Sequence, residues 1–241
     1  AARGTIAAQG VAKNFGGLTV LRGVDLTFDA APVYAIIGPN GAGKSTFFNC
    51  LTGRVTSSEG RITLNGTDVT AMEAFERARL GLGIKLQIAS VFPSMTVRQH
   101  LALALRSGAA DREAVIESTL ALTELAARAD DRASDLSHGE QQWLEIAMVI
   151  AQNPSVILLD EPAAGMSWQD KMRTSALIER LSASHRIIVV EHDMAFVKSL
   201  KAPVAMLHQG KVFRSGSFED VCGDEDVINI YLGRRTDVVN A

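Results

Sequence analysis

The residues at 38–45, Gly-Pro-Asn-Gly-Ala-Gly-Lys-Ser, have side chains and a spacing suited to binding phosphate. Their glycines let backbone N–H groups turn toward an anion, and a following helix adds the positive end of its dipole. Lys44 supplies a cation for the terminal phosphates and Ser45 a hydroxyl ligand for Mg²⁺. The predicted polyphosphate contacts are Gly38, Pro39, Asn40, Gly41, Ala42, Gly43, Lys44, Ser45 and Thr46.

A second group of chemically capable residues follows the apolar run SVILLDE at 155–161. Asp160 is predicted to hold Mg²⁺ through its water shell, and Glu161 to polarise an attacking water. Adjacent acids also occur in solvated turns, but their combination with the phosphate motif favours catalysis. His192 ends the next apolar run, RIIVVEHD, where the carboxyl edge of a parallel sheet places ligands.

The segment LSHGEQQ at 136–142 precedes an apolar stretch with helical spacing. Ser137 and Glu140 stand three residues apart, as in a capping box. At this point two interpretations remain open. The segment is either only a helix start or part of a site completed elsewhere.

Composition limits the possible functions. The chain has 241 residues, a net charge of −3 and two cysteines, Cys50 and Cys222. An acidic balance argues against a nucleic-acid binder. We expect neither a disulfide scaffold nor a zinc site. The sequence contains no signal-peptide pattern and no membrane-spanning run, so we expect a cytoplasmic protein; if it acts on a membrane, another chain must provide the spanning part.

The remaining patterns predict an α/β chain. Strands are expected at TIAAQGV, VLRGVDLTF, VYAIIG and LGIKLQ, with hairpins in GRITLNGTDV and at Gln209-Gly210. Helices are expected at about 43–51, 95–108, 111–129 and 168–183, and from Ser137 onward. The helical stretch at 88–140 is predicted to form its own lobe.

The phosphate motif, LSHGE, SVILLDE and VVEHD, in this order, resemble the nucleotide-binding subunit of an ABC transporter, from about Val11 to Gly233. The resemblance implies a P-loop NTPase core with an N-terminal antiparallel β region and an inserted α-helical subdomain. It implies one domain over 1–241, with the core at 1–87 and 141–241 and the helical subdomain at 88–140. The implied ligands are ATP and Mg²⁺.

The same resemblance implies further site residues and partners. Gln87 would contact Mg²⁺ and the attacking water, while Phe15 would stack on adenine with Val20 beside the nucleotide. The signature residues Ser137, His138, Gly139 and Glu140 would complete the ATP site of a second ABC ATPase subunit. Permease subunits would bind directly, and a solute-binding protein would act indirectly.

The motifs also depart from the family pattern. His138 and Glu140 replace a glycine and a glutamine of the signature, and Ser167 stands where an aspartate is more common. DEPAAGM, VVEHDM and the end of the chain are similar to the branched-chain amino acid importer group. LSHGEQQWLEIAM, KLQIASVFPSMTVRQHLALAL and MLHQGKV are most similar to its urea and short-chain amide branch.

Two other classes of protein share some of these motifs. A non-transport ABC ATPase of the DNA-repair kind would carry long coiled coils between its phosphate-binding halves, and one of the ribosome-associated kind usually carries two cassettes. A kinase or GTPase would share the phosphate motif but would not explain LSHGE followed by SVILLDE. An importer ATPase fits the motifs best.

Overall fold

A computed structural model describes residues 3–86, 91–105 and 111–232. Within them, the strands are β1 Ile6–Phe15, β2 Leu18–Phe28, β3 Val33–Ile37, β4 Glu59–Leu64, β5 Thr67–Asp68, β6 Leu82–Lys85, β7 Val156–Asp160, β8 Arg186–Val190, β9 Val204–His208 and β10 Lys211–Gly216. The α-helices are α1 Lys44–Thr52, α2 Ala74–Arg79, α3 Val97–Ala104, α4 Arg112–Leu122, α5 His138–Ile150, α6 Trp168–Leu181, α7 Met194–Ser199, α8 Phe218–Cys222 and α9 Glu225–Tyr231.

The larger sheet has six strands in the order β10-β9-β3-β8-β7-β6. Its strands are parallel except β10, which pairs antiparallel with β9. Side chains of β7 alternate between two apolar cores: Val156 and Leu158 face one, while Ile157 and Leu159 face the other. The prediction that this run is a strand covered on both faces is confirmed. Because these parallel strands end at one edge, the residues that follow them are brought together.

The smaller sheet is antiparallel, with the order β2-β1-β4-β5. Helix α1 lies between the two sheets, and its residues Phe47, Phe48 and Leu51 share an apolar core with both. The α/β class and the N-terminal antiparallel region are therefore as predicted. The expected hairpins at Asn65-Gly66 and Gln209-Gly210 are also present, with positive φ at all four residues.

The buried side chain of Arg77 caps the carboxyl end of α1. Its guanidinium donates to the carbonyls of Cys50 and Leu51 at 2.7 and 2.8 Å, and also to those of Thr70 and Met72 at 3.2 and 3.0 Å. A cation at this end of a helix is favoured by the helix dipole. Helix α1 is thus fixed at the end opposite the phosphate motif.

Helices α3, α4 and α5 contribute to one apolar core with α6 and the six-stranded sheet. Helix α4 ends at Leu122, seven residues before the predicted end at 129, which was wrong. Glu124 adopts a left-handed backbone conformation, with φ of 59°, and its carboxylate binds Arg173 and Arg180 of α6. These ion pairs hold the turn that ends the helix.

Other boundaries also differ from the sequence predictions. Strands β1 and β2 are longer than expected, and β8 stops at Val190 rather than at Asp193. Helices α2, α7, α8 and α9 were not predicted, because they are short and held by capping side chains more than by an apolar period. No helix in the described ranges is long and apolar enough to cross a membrane.

Candidate active site

The phosphate motif forms the turn between β3 and α1, as predicted. Gly38, Gly41 and Gly43 have φ of 151°, 79° and 102°, which residues with a Cβ rarely adopt. A Cβ on Gly38 would lie 2.3 Å from the carbonyl oxygen of Leu207. The backbone therefore requires glycine at this position.

Lys44 lies in the first turn of α1 and is buried. Its ammonium donates to the carbonyls of Gly38 and Pro39 at 2.5 and 3.0 Å. Burial lowers the pKa of Lys44, and the carboxylates of Glu161 and Asp160 oppose that shift. The lysine therefore belongs to the same electrostatic site as the acidic pair, although the three residues are far apart in sequence.

Asp160 is the last residue of β7. Burial and repulsion from Glu161 raise its pKa to about 6, while the charge of Lys85 opposes the rise. Glu161 follows in the left-handed region, with φ of 45°. Its N–H donates to the carbonyl of Val190 at 2.9 Å, which ties the turn to β8. Backbone strain of this kind at a polar residue often accompanies a functional role.

His192 lies beside Glu161. Its Nδ1 is 3.1 Å from Oε1 of Glu161, and its side chain is 58% exposed. The structure thus brings together Lys44, Asp160, Glu161 and His192 at the carboxyl edge of the six-stranded sheet. Of the remaining predicted residues, Phe15 ends β1, Val20 lies in β2, the phosphate motif leads into α1, and the signature lies at the start of α5.

Glu191 is a site residue that the sequence analysis missed. Its carboxylate is buried and accepts backbone N–H groups from His192, Asp193 and Ala163 at 2.9, 3.3 and 3.4 Å. Burial raises the pKa of Glu191, and these donors oppose the rise. The residue therefore joins the loop after β7 to the loop after β8. The sequence signal that could have identified Glu191 is an acidic residue inside the otherwise apolar run RIIVVEHD.

The four-stranded sheet approaches the phosphate loop through β2. The carbonyl oxygen of Val20 would lie 3.3 Å from a Cβ on Gly43. Phe15 ends β1 and is 48% exposed, and the ammonium of Lys13 lies 5.0 Å from its ring centroid. An exposed ring in this position is available for stacking, and it is not part of the apolar core.

The predicted capping box at the start of α5 is present. Oγ of Ser137 accepts the N–H of Glu140 at 3.3 Å, and Oε2 of Glu140 accepts the N–H of Ser137 at 2.7 Å. Oε1 of Glu140 also lies 3.3 Å from Nε of Arg128. The acid thus folds back onto its own helix. Ser137 and His138 are exposed, and Nε2 of His138 is 3.0 Å from the carbonyl oxygen of Ala164.

Gln87, predicted to contact Mg²⁺ and water, lies outside the described residues. The other predicted metal ligands suit a hard divalent cation: Ser45 is exposed at the start of α1, and Asp160 is an oxygen ligand among other acids. Within the described ranges, no three His, Cys, Asp or Glu side chains form a metal-binding group.

Comparison with known proteins gives consistent matches. The sequence profile described as ABC transporter matches residues 21–164. A probable ABC transporter ATP-binding protein of Azorhizobium caulinodans is 36% identical, with 97% of this chain and 85% of the relative covered. The high-affinity branched-chain amino acid transport ATP-binding proteins LivG of Salmonella typhimurium and BraF of Pseudomonas aeruginosa are each 34% identical. Coverage is 95% of this chain and 97% of LivG, and 93% of this chain and 96% of BraF.

Solved structures agree with this fold. A nucleotide-free ATP-binding cassette from an ABC transporter superposes with a TM-score of 0.86 at 26% identity, covering 95% of this chain and 98% of the other. An ATP-binding cassette in its ADP conformation gives 0.85 at 26% identity, covering 96% and 99%.

The first prediction concerns Lys44. Lys44→Ala should abolish tight ATP binding, because it removes the cation buried within the phosphate loop. The melting temperature of the nucleotide-free protein should stay nearly unchanged, because the cost of burying the ammonium offsets its two hydrogen bonds to loop carbonyls. Titration with a fluorescent ATP analogue and thermal unfolding without nucleotide measure the two effects. Unchanged ATP affinity would contradict the assignment.

The second prediction concerns Glu161. Glu161→Gln keeps the shape of the side chain and an acceptor for His192 but removes the basic carboxylate. ATP binding should persist while turnover falls by roughly 10²–10⁴-fold, the usual effect of losing a general base. Steady-state phosphate release checks this, with the exposed Glu179→Gln in α6 as a control that should keep full turnover. Turnover within a factor of two of wild type would show that Glu161 is not the base.

Proposed function

Because this chain belongs to the ABC transporter ATP-binding family, we propose that two such subunits share ATP sites and drive an importer for a small polar solute. The chain is an ATPase with the P-loop fold of ABC cassettes. The observation that carries the proposal is the convergence of Lys44, Asp160, Glu161 and His192 at one sheet edge, with the exposed start of α5 available to a second subunit.

In the proposed reaction, each residue at the sheet edge has one role. Backbone N–H groups of the phosphate loop and the ammonium of Lys44 hold the phosphates. Glu161 orients and polarises the attacking water, and the Nδ1–H of His192 donates to Glu161 and so fixes its carboxylate. Ser45, Asp160 and Gln87 would hold Mg²⁺, which neutralises charge developing on the phosphates.

The proposed second half of the ATP site is the start of α5. Ser137 and the N–H groups of His138 and Gly139 would meet the γ-phosphate bound by the partner, where the helix dipole favours an anion. Glu140 does not oppose this arrangement, because its carboxylate is engaged by the N–H of Ser137 and by Arg128. The signature is therefore proposed to be both a capping box and a phosphate contact.

Ser137→Arg should block ATP-dependent association of two chains and leave ATP binding by the isolated chain unchanged. The added side chain would occupy the space of the partner's phosphate. In the companion variant Glu140→Gln, ATPase activity should change by less than roughly threefold, since the cap is kept and a surface ion pair contributes about 1 kcal/mol or less. Light scattering with and without ATP measures association.

The matched control is Ser217→Arg. Ser217 is also an exposed N-cap serine in a capping box, at the start of α8. The Ser217→Arg variant should associate normally on addition of ATP. The comparison separates the effect of losing a helix cap from the effect of losing the shared site. If the Ser137→Arg variant still associates on addition of ATP, LSHGEQQ is only a helix cap and the proposal of a shared site is wrong.

The proposed permease contact is the segment around Phe92, predicted as 88–95, of which 88–90 lie outside the described residues. Phe92 is 52% exposed and stacks on His100, with ring centroids 6.0 Å apart. Its N–H donates to Nε2 of His100 at 2.8 Å, so the loop is held in place. Val91 instead packs partly against the core, and Met95 is half-buried. Phe92 is therefore the residue chosen for the test.

Phe92→Asp should uncouple transport in the assembled importer while ATPase activity of the isolated chain persists, because it places a charge on an apolar contact. Uptake by reconstituted vesicles and phosphate release by the free subunit are the two measurements. Phe75→Asp is the control: Phe75 is 54% exposed on α2 and should leave transport intact. Normal uptake by the Phe92→Asp variant would contradict the proposed permease contact.

Two substrate classes are proposed for the importer. Urea or short-chain amides are supported by the segments LSHGEQQWLEIAM and MLHQGKV. Branched-chain amino acids are supported by the names of the LivG and BraF relatives. Because the solute is not expected to touch this subunit, uptake assays with both solutes in the assembled transporter decide between them. The subunit is proposed to lie at the cytoplasmic face of the membrane, with a solute-binding protein on the other side.

A further inference from the structure

A buried ion pair lies between the six-stranded sheet and helix α5. Nζ of Lys85 is 3.5 Å from Oε2 of Glu145, and the two side chains are 1% and 7% exposed. Lys85 is the last residue of β6, and Glu145 lies in the middle of α5. Neither residue belongs to the motifs that bind phosphate or water.

The ammonium of Lys85 has a second contact. It donates to the carbonyl of Leu86 at 3.0 Å, the residue directly before Gln87. Glu145 is eight positions after Ser137 in the sequence, so it lies about 12 Å along the same helix axis from the signature. One ammonium therefore binds both the carbonyl group directly before Gln87 and helix α5, which begins with the signature.

Stability alone does not account for this pair. Moving both charges out of water costs about as much as their attraction returns, and apolar side chains of similar size are often as stable. The other side chains that α5 buries against the sheet are mostly apolar. A pocket of about 150 Å³ that opens to the surface is lined by Lys85, Leu86 and Glu145.

We propose that Lys85 and Glu145 are positioning residues that hold the signature helix and the approach to Gln87 in one arrangement, so that the ATP site shared by two subunits is assembled correctly. The inference rests on the proposed function, because it requires a site completed by a second subunit. Neither residue is proposed to touch ATP.

The test compares charged and apolar pairs. Lys85→Met alone removes the ammonium from beside the buried carboxylate of Glu145 and should lower the melting temperature. The double variant Lys85→Met, Glu145→Leu should melt close to the wild-type temperature, because both charges of the buried pair are removed together. Its KM for ATP should change by less than about threefold while kcat falls by about 10–100-fold, since misplacement of roughly 1 Å can cost about 100-fold. The kcat is calculated per nucleotide-binding site, so that unfolded protein is not counted.

The control is Arg61→Met with Asp68→Leu, which removes an exposed ion pair of the four-stranded sheet. It should leave kcat and ATP-driven association unchanged. If wild type associates with ATP but the Lys85 and Glu145 double variant retains its full kcat and association, the positioning role is overturned. If wild type itself does not associate with ATP, the proposed function is overturned instead.

Discussion

Charge buried at the edge of the six-stranded sheet must be balanced by neighbouring groups, and this requirement organises the whole site. Burial raises the pKa of Asp160 to about 6 and also raises that of Glu191. Lys44 and Lys85 bring positive charge to Asp160, while Glu191 receives backbone N–H groups from both flanking loops. The loops that carry Glu161 and His192 are therefore positioned by the donors that the buried acid requires.

Much of the fold could be predicted because its signals are local. The phosphate motif, the apolar strands VYAIIG and SVILLDE and the capping box at Ser137 each depend on residues close in sequence. The order of the strands depends on long-range pairing, and no local pattern encodes it. The short helices α2 and α7–α9 were missed because each has only one or two turns, too few to show an apolar period, and is held by capping side chains.

The candidate site also contains some residues that local sequence signals predict and others that only long-range contacts reveal. Lys44, Asp160, Glu161 and His192 were identified from types and spacing, and the fold brings them together. Glu191, Arg77 and the Lys85–Glu145 pair were not identified, because each is a charge within or beside an apolar segment and its partners lie on other elements. In sequence such a residue looks like the end of a strand or an exposed position. Only the packed structure shows that it is enclosed.

The turn at Gln209-Gly210 has a consequence for how the molecule opens. The N–H of Gly210 donates to the carbonyl of Ala42 at 3.0 Å, and its carbonyl accepts the N–H of Arg22 at 2.9 Å. One residue thus joins the phosphate loop, the antiparallel sheet and the β9–β10 hairpin. Local fluctuations that break one of these contacts weaken the others, so the three segments form one cooperative unit. Their amide hydrogens should exchange with solvent at similar rates, although they come from distant parts of the chain.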